Sequence, residues 1–391
     1  MLVSTDPAQR ARPAVLAVFL LHALLFASWT AHIPQVKAGL RLSDAELGIA
    51  LLGAPLGSVL AMAVTGWLLP RLGSRLMVRA TLVGYGLTGL GIGLAPSLRW
   101  LFAALLVWGG FQGALDVAMN TQAVTVERAL GTPIMAGLHG GWSLGGFCGA
   151  LLGTAVAATG TELTPQLVVL GPVVLVLGAL ASRRMLPDPP QPTAGAGPAT
   201  SSGTVLLRPL VLVLGGIALA SMLAEGASAD WSAVHLRDDL AAGPGVAGLA
   251  YAAYSATMLT LRLTGDRLLA RFPAHRLLPV LALVAAVGFG GSLLIAHPAA
   301  AIVGFAMLGI GLALVVPTAF SAAGRLPGAH PGRAIAAVSA LGWVGFVAGP
   351  PVIGHLAAWV GLPVALGLLP VLALVIAVGA RARALDREKS S

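Results

Sequence analysis

The side chains best suited to chemistry in this chain include a polar stripe formed by Gln112, Asp116 and Asn120. These residues are four positions apart, so a helix presents all three on one face. An apolar environment penalises the charged form of a carboxyl group, which then holds a proton more readily. Asp116 is therefore our first candidate for a group that takes up and releases a proton. The alternative is a structural role in which its hydrogen bonds hold helices together.

A second polar stripe is predicted around position 225. Ser221, Glu225, Ser228 and Ser232 fall on one face of a helix. Glu225 is the second candidate for a proton-binding group, and a direct contact with a bound solute is equally open. Asp230 is more typical of a solvated residue near a helix end.

Histidines and aromatic rings lie on segments that could approach these acids. At 1.5 Å per residue, His22 comes to the depth of Asp116, and His139 comes close to the depth of Asn120. Both histidines are further candidates for proton coupling. Flat rings beside a carboxylate suit sugars and planar organic molecules, although they also suit ordinary helix packing. The candidate solute contacts are Gln112, Asn120, Trp142, Tyr251, Tyr254 and Trp343.

The composition indicates which elements position these groups. Of 391 residues, 57% are apolar and only 9% are Asp, Glu, Lys or Arg. Soluble domains carry about 25% charged residues, so a cytosolic enzyme and a secreted domain are both disfavoured. The single cysteine, Cys148, excludes a disulfide framework and cysteine-based metal sites. We expect no metal and no other cofactor.

Apolar runs of about 20 residues, the length that crosses a bilayer, recur along the whole chain. Ser43 and Glu46 form a capping-box sequence that predicts the start of the second run. We predict twelve membrane-spanning helices, near residues 14–33, 45–69, 77–95, 100–126, 134–158, 167–181, 206–231, 246–263, 277–296, 299–323, 334–356 and 363–380.

The basic residues indicate the orientation of these helices. Nineteen of the 23 Lys and Arg residues fall on the same side of the membrane as the two chain termini. The positive-inside rule identifies this side as the cytoplasmic one. The expected location is therefore the cell (inner) membrane, with both termini in the cytoplasm. The group of nineteen includes Arg262, expected at the cytoplasmic end of the eighth span. Topology therefore explains the net charge of +9 without nucleic-acid binding. The four basic residues on the other side are Lys37, Arg41, Arg99 and Arg237.

The twelve predicted spans divide into two halves of six, residues 1–182 and 206–391. Between them, residues 183–205 are rich in Pro, Gly, Ala, Ser and Thr, which is typical of a flexible linker, here on the cytoplasmic side. A shift of 200 positions aligns Gly109 with Gly309 and Gly145 with Gly345. The predicted fold class is an all-α integral membrane protein of twelve helices in two six-helix halves. Two similar halves are typical of transporters that alternate access by rocking.

The loop after the second predicted span resembles the signature loop of the major facilitator superfamily. That signature is a Gly, then an acid, then Arg-x-Gly followed by basic residues. Gly66, Arg71, Gly73 and Arg75 match it, while Pro70 stands where the family has its acid. The resemblance implies the superfamily's twelve-helix fold and a gating role for this loop.

Three further segments, residues 115–120, 139–145 and 225–232, resemble the fucose-permease-like branch of that superfamily. They are most similar to its YbjJ-type bacterial members. The resemblance implies proton-coupled movement of a small polar solute, with sugars among the candidates. The expected partners are a small-molecule substrate, protons and the lipid bilayer, with no nucleic acid. The chain is expected to act as a monomer.

Other functions stay open at this point. The same residues serve an antiporter that exports a drug or metabolite. A membrane enzyme would use His139 with Asp116, and a sensor or scaffold would move nothing. We predict a transporter rather than an enzyme, because the chain has neither a recognisable catalytic motif nor a soluble catalytic domain.

Overall fold

The computed structural model describes residues 6–132, 134–188, 209–326, 331–382 and 385. Within these residues the secondary structure is helical and contains no strand. Eleven helices in the described part are long and apolar enough to cross a membrane. The remaining expected span is also a helix, Leu249–Arg271, but its second half carries Asp266 and several arginines and is less apolar. The all-α, twelve-helix prediction is confirmed.

We number the twelve spans in chain order. The first six are Pro7–Thr30, Asp44–Leu72, Ser74–Gly93, Leu98–Leu130, Met135–Ala158 and Leu163–Ser182. The last six are Pro209–Asp239, Leu249–Arg271, Ala274–Ile295, Pro298–Gly324, Pro331–Val360 and Leu362–Gly379. Spans 2, 3, 10 and 12 are each interrupted by a short non-helical step, and span 7 ends in the π-helical turn His235–Asp239. Two short helices, Ile33–Leu40 and Pro244–Ala247, precede spans 2 and 8.

The start of span 2 follows the predicted capping box. The Ser43 Oγ accepts a hydrogen bond from the Glu46 backbone N–H at 3.3 Å, and the Glu46 carboxylate accepts one from the Ser43 backbone N–H at 2.9 Å. Two backbone donors that a helix start leaves unpaired are thereby satisfied.

The chain forms two compact units, Met1–Ala194 and Gly195–Ser391. In the first unit, span 1 packs on spans 5 and 6, span 2 on span 4, and span 3 on spans 4 and 6. In the second unit, span 7 packs on spans 11 and 12, span 8 on span 10, and span 9 on spans 10 and 12. Adding six to each span number converts the first set of pairs into the second. The two units therefore share one packing pattern.

Matched glycines make equivalent contacts in both units. A β-carbon at Gly145 of span 5 would overlap the carbonyl oxygen of Leu20 in span 1. A β-carbon at Gly345 of span 11 would overlap the carbonyl oxygen of Leu219 in span 7. Only glycine allows the two backbones to approach this closely. The aligned glycines therefore set the same helix–helix contact in each unit.

Large apolar side chains stay exposed on spans 3, 6, 9 and 12. Leu87 of span 3, Val169 of span 6 and Val378 of span 12 are more than half exposed, and Leu294 of span 9 is 88% exposed. In a bilayer such side chains lie against lipid tails at no cost, whereas in water they would form an unfavourable apolar surface. These four spans provide lipid-facing surface.

Candidate functional site

The polar stripe of span 4 lies at the middle of the helix. Asp116 is 14 residues before the end of the helix at Leu130, about 21 Å along its axis. The Asn120 side-chain amide donates to the Asp116 carbonyl oxygen at 2.9 Å and to its carboxyl Oδ1 at 3.3 Å. Gln112 lies one turn before Asp116, and all three side chains are half-buried. The carboxyl group is thereby tethered to its own helix face near the middle of span 4.

His22 of span 1 is paired with span 5. The Trp142 indole N–H donates to His22 Nδ1 at 3.3 Å. An indole nitrogen can only donate, so Nδ1 is the acceptor and the imidazole proton sits on Nε2. His22 Nε2 is buried and has no hydrogen-bond partner among the described residues. His22 is therefore neutral here, with a buried N–H donor that is unused.

An aromatic cluster surrounds His22. The Tyr85 ring meets the His22 ring edge-on at 5.3 Å, and Tyr85 stacks on Trp108 at 5.0 Å. The Tyr85 hydroxyl donates to the His22 carbonyl oxygen at 3.3 Å. Sequence reasoning missed Tyr85 and Trp108, because neither forms a polar stripe and single aromatic residues are more often packing residues.

The structure does not unite all the first-half candidates. Among the described residues no hydrogen bond joins His22 to Asp116, so each acts with its own partner. His139 is exposed at the start of span 5, with its ring edge-on to Phe19 at 5.3 Å. His139 therefore packs against span 1 at that point.

The second unit contains an ion pair. The Arg262 Nη2 of span 8 lies 3.7 Å from the Glu225 Oε2 of span 7, and both side chains are largely buried. Tyr251 and Tyr254, also on span 8, are buried and stack at 5.9 Å. The two charges act electrostatically on both tyrosine hydroxyls. Trp343 of span 11, another predicted solute contact, is half-buried and meets a neighbouring phenylalanine ring edge-on at 5.6 Å.

The structure moves the predicted end of span 8 beyond Arg262. The sequence places Arg262 at the cytoplasmic end of span 8, but the helix continues nine residues further, to Arg271, about 14 Å along the axis. Charged residues after Leu263 suggest a loop, yet nothing there breaks a helix before Pro273. Arg262 therefore lies within the helix of span 8 rather than at its end.

The loop between spans 2 and 3, predicted to act in gating, turns at Gly73. Its φ of +75° lies in the left-handed region that glycine adopts without strain. Arg71 lies over the Trp67 ring at 4.0 Å and donates to the Trp67 carbonyl oxygen at 2.6 Å. Gly66 has open space around its α-carbon, so no contact there requires glycine.

An acid from beyond span 6, Asp188, bonds to the end of this loop. The Asp188 carboxylate accepts hydrogen bonds from the Ser74 backbone N–H and from the Ser74 hydroxyl, the latter at 2.6 Å. The Thr125 hydroxyl also donates to Asp188, at 3.1 Å. The Gln122 amide donates to the Ser74 hydroxyl at 2.7 Å. Asp188 therefore caps the start of span 3 and ties it to span 4.

The N-terminal end of the predicted linker is packed against the first unit. Residues 183–188, predicted to be flexible, pack on the first unit. The Arg75 guanidinium donates to the Arg183 carbonyl oxygen at 3.1 Å, and the Arg79 guanidinium bonds Ser182. The rest of the predicted linker, residues 189–205, lies outside the described residues.

Replacing Asp188 by Ala is expected to lower the unfolding temperature of the detergent-purified protein. Loss of a helix N-cap costs about 0.5–2 kcal/mol of unfolding free energy, and three donors lose their acceptor here. The neighbouring Pro187→Ala is the matched control, since Pro187 is exposed. Equal unfolding temperatures for the two variants would contradict the capping role.

Comparison with known proteins identifies the family. The sequence model of the Major Facilitator Superfamily matches residues 14–229 and 213–391. The chain belongs to the Major Facilitator Superfamily. It is therefore a multi-pass membrane transporter of that family, which consists of transporters rather than enzymes.

Relatives of this superfamily member cover nearly its whole length. An uncharacterized MFS-type transporter of Yersinia pestis is 36% identical over 368 residues, 93% of each chain. Membrane protein MosC of Rhizobium meliloti is 30% identical over 408 residues, which cover 99% of this chain and 93% of MosC. Membership of the fucose-permease-like branch stays a prediction.

Solved structures share the fold. A mutant of the nucleoside transporter NupG aligns with a TM-score of 0.78 at 12% identity, covering 95% of this chain and 99% of NupG. A D-xylose–proton symporter aligns with a TM-score of 0.71 at 15% identity, covering 94% and 97%. At these identities the likeness concerns the fold alone. No cluster of His, Cys, Asp and Glu able to hold a metal occurs in the described part of this superfamily member.

Proposed function

We propose that this superfamily member is a proton-coupled secondary transporter of a small polar solute, with sugars among the candidates. The observation that carries the proposal is the position of Asp116, at the centre of span 4 and tethered by Asn120. An ionisable group at mid-bilayer costs about 2.5–3.5 kcal/mol on insertion scales. Such groups in membrane helices are usually functional, and a carboxyl group at that depth is suited to alternate between protonated and charged forms.

The remaining contacts suit a hydroxylated solute. In the first unit, Gln112, Asn120 and the unused His22 N–H offer hydrogen bonds beside the Trp142 ring. In the second unit, the buried Tyr254 hydroxyl has no hydrogen-bond partner among the described residues. Unpartnered buried polar groups are costly, so a solute that bonds to such groups within either unit would stabilise that unit.

The fold neighbours support a polar solute. One is a transporter of nucleosides and another is a symporter of D-xylose with protons. We propose in addition that the protein lies in the cell membrane with both termini in the cytoplasm. Its six-helix halves would move so that the solute is exposed to each side of the membrane in turn. We propose a monomer, with the halves at residues 1–182 and 206–391 joined by the segment between them.

The direction of coupling is tested with the parent protein in sealed vesicles. A thermal-shift screen against sugars, nucleosides and sugar acids first identifies a ligand, because native-state binding raises the unfolding temperature. A symporter then accumulates that ligand when the outside is acidic. A drug or metabolite antiporter instead accumulates the ligand when the inside of the vesicles is acidic. Solute flux that is the same with the outside acidic and with the inside acidic would contradict proton coupling.

A further inference from the structure

We propose that four arginines at the ends of spans 3 and 6 bind the phosphate group of an anionic phospholipid. We call them the arginine cluster: Arg75 and Arg79 in the first turns of span 3, with Arg183 and Arg184 directly after span 6. All four belong to the first unit. The inference concerns a lipid site and does not depend on which solute the protein transports.

Hydrogen bonds bring the cluster together. The Arg75 Nη2 donates to the Arg183 carbonyl oxygen at 3.1 Å. The Arg79 guanidinium donates to the Ser182 hydroxyl oxygen at 3.0 Å and to the Ser182 carbonyl oxygen at 3.3 Å. Arg75 and Arg79 are four residues apart, so they share one face of span 3. Four positive charges are thereby collected where spans 3 and 6 end.

No acid of the described residues neutralises the arginine cluster. None of its four side chains forms an ion pair with Asp or Glu in that part of the chain. The acid next in sequence, Asp188, accepts from the Ser74 and Thr125 hydroxyls instead. Residues 189–205 contain neither Asp nor Glu. Like charges one helix turn apart repel each other, so an anion from outside the chain stabilises the cluster.

The guanidinium groups suit a phosphate. Each has five N–H donors, in a planar arrangement that matches two phosphate oxygens at once. Arg183 and Arg184 are exposed, and within the described residues their guanidinium groups donate to no protein oxygen. A phosphodiester has one negative charge and two free oxygens. It therefore finds both charge balance and donors at the arginine cluster.

Apolar side chains on the same two spans favour a lipid over a free phosphate ion. Leu76, next to Arg75, and Leu180, close to the end of span 6, are each about half exposed. Further along the same spans, Val83 and Val176 are also about half exposed. An acyl chain lies against these side chains while its phosphate reaches the arginines. Basic residues at the ends of membrane helices attract anionic lipids in this way.

The second unit does not repeat the arginine pair of span 3. A shift of 200 positions places Pro279 of span 9 opposite Arg79. Arg271 and Arg276 are exposed around the start of span 9, but Pro279 and Val280, one turn after Arg276, carry no charge. The loop between spans 8 and 9 therefore supplies a matched control, with arginines but without the paired arrangement.

The test uses the full chain in detergent, with dioleoylphosphatidylglycerol as the probe. Dioleoylphosphatidylcholine has the same acyl chains and no net charge, so it is the comparison lipid. Native mass spectrometry measures the lipid-bound fraction. We expect tighter binding of phosphatidylglycerol than of phosphatidylcholine by the parent. In Arg183→Gln with Arg184→Gln, the affinity for phosphatidylglycerol should fall about fivefold for each arginine removed, with that for phosphatidylcholine unchanged.

Two further variants complete the design. Arg271→Gln with Arg276→Gln removes two exposed arginines of the second unit and should keep the affinity of the parent. Arg75→Gln with Arg79→Gln should lower the affinity as the first variant does. If that protein does not fold, because the Arg79 bonds to Ser182 are lost, the exposed pair Arg183 and Arg184 still decides the result.

Three outcomes would overturn the proposal. Equal affinity of the parent for the two lipids would leave the arginines with a role in topology alone. Equal losses in the first-unit and second-unit variants would show attraction to any basic residue rather than a site. Displacement of phosphatidylglycerol by sodium phosphate at equal concentration would identify a site for free phosphate. Selective loss in the first-unit variants, without such displacement, supports the lipid site.

Discussion

Replacing Asp116 by Asn is expected to abolish proton-driven accumulation of the solute while leaving solute exchange intact. The amide copies the shape and neutrality of a protonated carboxyl group but cannot release a proton. Its oxygen still accepts from the Asn120 side chain, as the carboxyl does. With one proton per solute, each pH unit is worth about 1.36 kcal/mol, or about tenfold accumulation in the parent. The variant should only bring the solute to equal concentrations inside and outside the vesicles.

Two assays in the same vesicles distinguish coupling from structure. Accumulation is measured with an imposed pH gradient, and exchange is measured with solute on both sides and no gradient. Thr121→Val is the matched control on span 4, because among the described residues the Thr121 hydroxyl bonds only the Val117 carbonyl oxygen of its own helix, at 2.9 Å. Full accumulation by Asp116→Asn would remove this acid from the mechanism. Loss of exchange as well would indicate a structural role.

The second large effect is expected at a close helix–helix contact of the first unit, between spans 1 and 5. In Gly145→Ala the new β-carbon overlaps the Leu20 carbonyl oxygen. Backbone atoms cannot rotate away, so spans 1 and 5 must separate. Overpacking of this kind costs about 1–3 kcal/mol, more than the roughly 1 kcal/mol that alanine gains over glycine inside a helix. The same separation weakens the Trp142–His22 hydrogen bond, one turn away.

The neighbouring residue provides the control for this substitution. A β-carbon at Gly146 has no atom within 4 Å, so Gly146→Ala should keep or raise the unfolding temperature. Thermal unfolding of both purified variants in one detergent measures the difference. If Gly145→Ala is as stable as Gly146→Ala, spans 1 and 5 do not depend on that glycine for their approach.

Local features of this transporter were predictable from the sequence. Helix periodicity alone places Asn120 against Asp116, because residues four apart share a face. The capping box of Ser43 and Glu46 is local in the same sense, since three residues separate its two partners. Apolar length predicted the spans because a bilayer demands about 20 residues per helix. Each of these inferences needs only one helix.

Long-range pairs were not predictable in this way. Asp188 reaches Ser74 across 114 positions, and Trp142 reaches His22 across 120. The linker composition around Asp188 indicated flexibility, and nothing in it pointed to span 3. The end of span 8 was predicted too early, because the charged residues after Arg262 resemble a loop, although the helix runs on to Arg271.

The sequence by itself determined that this chain lies in a membrane, that it has two six-helix halves, and which acids lie deep in the helices. The tertiary structure alone decided the partners: Arg262 for Glu225, Trp142 for His22, and Asp188 for the start of span 3. The reason is physical. Periodicity and length act within one helix, whereas a pair between helices depends on how each helix is rotated and how deep it sits. Close contacts between distant segments set that geometry.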